Sequence, residues 1–147
     1  MYDDIFFMEK AIENAQKTSA DVPVGAVIVK NNEIIAAFHN QKEIENDVTA
    51  HAEILCLKRA AEIFNNWRLK DCILYVTLEP CPMCAAAIIN SHISKVVFGS
   101  YDLLYGALGS KINLLNIYNS KIEVKGGILQ EKCDKLLEEF WKNNVRT

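Results

Sequence analysis

The spacing of apolar residues along this chain changes period several times, and each change marks an element. Over residues 4–17, Ile5, Met8, Ile12 and Ala15 recur at helical spacing, which predicts an amphipathic helix. Two apolar runs follow, VGAVIVK and EIIAAFH, separated by a polar turn at Lys30-Asn31-Asn32-Glu33. That pattern predicts a β-hairpin, roughly 24–30 and 33–39. QKEIENDV (41–48) is polar and reads as a loop. Asp47 and Thr49 are favourable N-cap residues, so a helix is expected to start near them and run to about Phe64.

CILYVTL (72–78) is rich in β-branched and aromatic residues and reads as a strand. Pro82 suits the first position of a new helix, with AAAIIN (85–90) as its body. KVVFG (95–99) and KIEVKGG (121–127) read as short strands, and YDLLYGALGS (101–110) as a loop. Residues 111–118 fit one or two helical turns. A last helix, about 129–143, is expected to bury Leu129, Cys133, Leu136, Leu137, Phe140 and Trp141. Alternating strands and helices imply a sheet covered on both faces. The expected fold is α/β: a three-layer α/β/α sandwich around a mixed five-stranded sheet, with residues 1–147 as a single domain.

Half of the residues are hydrophobic and 24% are charged, ordinary values for a globular chain with a real core. The net charge is −3, which is not the footprint of a strong nucleic-acid binder, although a local basic patch can coexist with an acidic whole. No stretch is long and apolar enough to span a bilayer. The start, MYDDIFFMEKAIENAQK, carries acids where a secretory signal carries bases, so a cytoplasmic location is expected. Five cysteines, an odd number, then argue against a disulfide framework and call for another explanation.

Two short stretches supply it. TAHAEIL (49–55) holds His51 and Glu53, and TLEPCPMCAAA (77–87) holds Cys81 and Cys84. One imidazole and two thiolates are zinc-type ligands, and three protein ligands leave a fourth position open for water. Cys81 and Cys84 share a face in the first turn of a helix. His51 and Glu53, two apart, would point roughly 200° apart in mid-helix. They converge only from a helix's first turn, where the Asp47 and Thr49 signals put them. Zinc with two thiolates and a neutral histidine is formally neutral, which favours an acidic bound water. Glu53 is then placed to carry protons from that water to a substrate nitrogen.

Other readings compete. Cys81-Pro82-Met83-Cys84 could be a redox pair. A purely structural zinc site would need a fourth ligand, for which Cys72 and His92 are candidates by type. A catalytically dead RNA-binding subunit would have no use for Glu53. Cys56 and Cys133 read as buried core residues.

His51-Ala52-Glu53 followed by Pro80-Cys81-Pro82-Met83-Cys84 matches the H-x-E…P-C-x-x-C signature of zinc nucleobase deaminases. On these motifs, and on DVPVGAVIV (21–29), HN (39–40), NWRL (66–69), SKVVFGSYD (94–102) and GALGS (106–110), the chain resembles the cytidine deaminase superfamily. Within it, the chain is most similar to the bacterial tRNA-specific adenosine deaminases. The resemblance implies one zinc per subunit on His51, Cys81 and Cys84, with Glu53 as the catalytic proton shuttle. It implies substrate binding by Asn40, the Ala52 backbone, Glu53 and Pro80. It implies conversion of adenosine to inosine at the wobble position of a tRNA anticodon stem-loop, by a homodimer whose sites are completed across the interface. Deamination of a free base such as cytosine or guanine is the alternative. In the same enzymes an aromatic pair like Phe140-Trp141 lies near the RNA. Gln41-Lys42, Val48, Leu103-Leu104-Tyr105 and the sparse basic tail of Lys142 and Arg146 depart from the family pattern, all in or near substrate-facing segments.

Overall fold

The structure, a computed structural model, describes residues 1–18, 20–144 and 146. The strands are β1 (Gly25–Lys30), β2 (Glu33–His39), β3 (Cys72–Leu78), β4 (Lys95–Ser100) and β5 (Glu123–Lys125), in the sheet order β2-β1-β3-β4-β5. β1 runs antiparallel to both β2 and β3, whereas β3, β4 and β5 are parallel. The hairpin turn falls where predicted. Asn31 and Asn32 both take left-handed φ values, 51° and 63°, which a two-residue hairpin loop needs and asparagine tolerates.

The central strands are apolar on both faces because both are covered. Ala26, Ile28, Leu74, Val76, Val96 and Phe98 point to one side, under α3 (Ala52–Phe64) and α4 (Pro82–Asn90). Val27, Val29, Tyr75 and Val97 point to the other, under α1 (Asp4–Ala15) and α6 (Gln130–Trp141). This is the expected three-layer α/β/α sandwich with a mixed five-stranded sheet. α5 (Leu114–Tyr118) adds Leu114 to the first face.

Four local expectations are corrected. Ile5 does not belong to the buried face of α1; it is exposed, and Phe7, Met8, Ala11, Ile12 and Ala15 are buried. Ala11 and Ala15 let the helix close onto Gly25, where any Cβ would run into their backbone. Residues 41–48 are not all loop, since α2 (Lys42–Glu45) makes one helical turn. The Asp21 carboxylate accepts the Glu43 N–H there at 3.1 Å, a partner that local pattern does not reveal.

α3 starts at Ala52, later than Asp47 or Thr49. Asp47 instead accepts the Thr49 N–H and hydroxyl in a tight turn of its own. Finally, of the six residues assigned to the buried face of the last helix, only Cys133 is fully buried. Leu137, Phe140 and Trp141 face a cavity instead of the core. Cys56 and Cys133 are core residues as expected.

Candidate metal centre and active site

Both helices that carry the candidate ligands open at the same end of the sheet. His51 is the N-cap of α3, and Cys81 is the N-cap of α4, both with extended backbone. Pro82 at the first position of α4 puts Cys84 at the third, so both sulfurs turn toward the helix start. The His51 side chain makes no capping bond to its own helix, which leaves the imidazole free for other work. Asn40 does the capping of α3 from a distance. Its Oδ1 accepts the Ala52 N–H at 2.8 Å, and its Nδ2 donates to the Val22 carbonyl at 3.1 Å.

His51 Nδ1 lies 3.4 Å from Cys84 Sγ and 3.8 Å from Cys81 Sγ, and the three ligand atoms lie within 4.8 Å of one another. A zinc ion about 2.3 Å from sulfur and about 2.0 Å from nitrogen spaces tetrahedral ligands roughly 3.5–3.8 Å apart, so the donor set and its spacing fit zinc. Among the described residues no fourth His, Cys, Asp or Glu joins the cluster. Cys72 is buried at the start of β3, and His92 is exposed beyond α4 beside Trp67. Neither fills the role of fourth ligand.

The electrostatics suit a cation. The Cys81 thiol is pulled down to about 4, first by the hydrogen bond from Cys84, against the cost of burial, and then by His51. The Cys84 thiol is pushed up first by the hydrogen bond it donates to Cys81, then by burial and by the charge of Glu53. His51 is raised, chiefly by its bond to Cys81. A divalent cation reverses the penalty on Cys84 and ionises both sulfurs. Glu53, 4% exposed, is lifted to about 7, mainly because burial disfavours its charge. A carboxyl that titrates near neutral pH is suited to take and return a proton.

His51, Glu53 and Cys81 lie on a cavity of about 530 Å³, within the range of small-molecule sites. Asn40 lies on its wall, as does Lys42. Pro80 does not line it; its side chain is fully buried and its carbonyl accepts the Ala107 N–H at 2.9 Å. The remaining wall includes Tyr105 and Arg146, from segments expected near the substrate, and Asp21, Glu79 and Asp102, to which sequence reasoning gave no role in the site. Asp102 pairs with Arg146 at 2.7 Å, and the Arg146 guanidinium lies 4.8 Å from the Tyr105 ring centre. Glu79 left one trace in the sequence, an acid at the exit of an otherwise apolar strand.

The profile of the MafB19-like deaminases matches residues 1–139. The chain belongs to the MafB19-like deaminase family. Among curated members, the tRNA-specific adenosine deaminase of Bacillus subtilis (strain 168) is 44% identical over 146 residues, covering 97% of this chain and 91% of that one. The Haemophilus influenzae protein of the same name is 43% identical, covering 92% and 81%. A solved structure from work on A-to-I editing by tRNA:A34 deaminases at the wobble position superposes with a TM-score of 0.82 at 35% identity, covering 90% of this chain and 99% of that one. The protein NE0047 in complex with 2,6-diaminopurine shares the fold, with a TM-score of 0.84 at 23% identity, covering 100% of this chain and 86% of that one.

Proposed function

We propose that this deaminase is a zinc-dependent hydrolase that converts adenosine to inosine at the wobble position of a tRNA anticodon. One observation carries the chemistry: a buried carboxyl that titrates near 7 stands beside an open three-ligand cluster on a nucleoside-sized cavity. The names of the relatives at 43–44% identity support the substrate.

His51, Cys81 and Cys84 would hold zinc, which supplies a Lewis acid that makes water a nucleophile near neutral pH. Glu53 does the proton work. It takes the proton released as water adds to the amidine carbon, and gives it to the ring nitrogen. It then takes the second proton from the hydroxyl so formed and gives it to the exocyclic amine, which leaves as ammonia as the C–N bond breaks and the carbonyl forms. Asn40, fixed by Val22 and Ala52 and lying on the cavity wall, orients the nucleotide. The base must be splayed out of the anticodon to reach the cavity. Phe140 and Trp141 at the cavity edge offer flat faces to neighbouring bases.

A single domain over 1–147, a cytoplasmic location and a homodimer complete this reading. Among the described residues no helix is long and apolar enough to cross a membrane. Ile44, Val48, Leu103 and Leu104 are exposed apolar groups that a second subunit would cover.

The test is to incubate the purified protein with an anticodon stem-loop and with free adenosine, cytosine and guanine. Inosine from the stem-loop alone is expected, at a rate that falls steeply with salt. Ammonia from cytosine or guanine only would overturn the reading. Glu53→Ala should abolish ammonia release; unchanged release would point to another mechanism.

A further inference from the structure

Glu79 is 2% exposed, and among the described residues no lysine or arginine pairs with it. Its carboxylate is met instead by four donors from one loop. Oε1 accepts the Asp102 N–H at 3.2 Å and the Ser110 hydroxyl, while Oε2 accepts the Leu108 and Ser110 N–H groups, each at 3.1 Å. Both oxygens are fully used as acceptors, two donors to each. An amide in the same place would turn its NH₂ toward two N–H or O–H groups. Gly106 packs directly on this carboxyl, where a Cβ would collide with it and with the Asp102 carbonyl. The loop so gathered carries Asp102 and Tyr105 to the cavity. Glu79 itself leaves β3 two residues before Cys81, so one short segment fixes both the metal corner and the facing wall.

We infer that Glu79 is a positioning residue for substrate, holding residues 102–110 as the cavity wall that receives the nucleic acid around the target base. Its action on turnover rests on the function proposed above; its action on the loop does not. Losing it removes acceptors for buried donors, so the wall slackens while the zinc corner keeps its ligands.

The experiment compares Glu79→Gln and the milder Ser110→Ala with the parent, all zinc-loaded. Amide hydrogen exchange should show at least one of the Asp102, Leu108 and Ser110 N–H groups losing protection in Glu79→Gln, because the amide keeps one oxygen where the carboxylate had two. Ala107, held by Pro80, and the core of α3 should keep theirs. Zinc content should remain that of the parent. On the anticodon stem-loop, KM should rise about tenfold or more with kcat within roughly threefold, and Ser110→Ala should move KM in the same direction by less. Unchanged protection at Asp102, Leu108 and Ser110 together would overturn the inference. So would a fall in kcat with KM unchanged, because that places Glu79 in service of the metal corner. If Glu79→Gln does not fold, Ser110→Ala with parental KM and protection overturns it. If the parent does not act on the stem-loop, the function fails while the exchange data still judge the loop.

Discussion

His51, Glu53 and Cys81 form the cavity floor, with Cys84 buried behind it, all from two stretches of chain each shorter than six residues. The wall draws Asp21, Asn40, Glu79, Asp102, Tyr105, Trp141 and Arg146 from segments spread across most of the sequence. Helix starts fix the floor, so the cap and first-turn positions alone decide where each ligand points. Long-range hydrogen bonds fix the wall: Asp21 to Glu43, Glu79 to the 102–110 loop, Asp102 to Arg146. Local rules are enough for chemistry, whereas recognition needs the whole fold.

Four substitutions test that division. Cys84→Ala should have the largest effect, taking zinc from one per chain to near none and abolishing turnover, as read by metal analysis and ammonia release. Retained stoichiometric zinc would mean that a ligand outside the cluster takes over. Glu53→Gln should lower kcat by about 10²–10⁴ while zinc content and stem-loop affinity stay close to those of the parent. A matching loss of affinity would show that floor and wall are not separable. Trp141→Ala should raise KM roughly tenfold and leave kcat nearly unchanged, in steady-state kinetics on the stem-loop. A fall in kcat alone would move Trp141 from recognition to chemistry.

Asp4→Asn is the control outside both regions. Asp4 accepts the Tyr75 hydroxyl at 2.7 Å and pairs with Lys125 at 3.2 Å. Burial opposes its charge, but the bonds from Tyr75 and Lys125 win and hold it below its ordinary 3.8. A depressed carboxyl stabilises the fold above that value, and the contribution is lost as pH falls through the lower folded value. The variant should therefore lose about 1 kcal/mol at pH 7, discounted for solvent screening, with the gap closing in thermal melts as the carboxyl is protonated in acid. Kinetics should not change. A constant gap at all pH values would show that charge is not what Asp4 contributes.

The same division decides what the sequence makes legible. The hairpin, the central strands and α4 follow from period and from Pro82, because each is set by its nearest neighbours. The His51–Glu53 and Cys81–Cys84 pairs are legible because their spacing carries the geometry. The start of α3 is misplaced because its first N–H is capped by Asn40, twelve positions upstream. The apolar stripe of α6 is read as core, since periodicity cannot distinguish a face turned to protein from one turned to a cavity. Glu79 and Asp21 are silent for a related reason. A lone acid has no period, and its partners lie about twenty to thirty residues away.

α6 rests on the sheet through the fully buried Cys133 and the partly buried Leu136, and turns Leu137, Phe140 and Trp141 to the cavity. Mutations at these three positions therefore alter what the pocket admits at little expense to folding, and they lie outside the His51–Cys81–Cys84 corner. In a lineage descended from this protein, new substrates are most readily acquired by redrafting the cavity side of that helix, with the two helix starts inherited untouched.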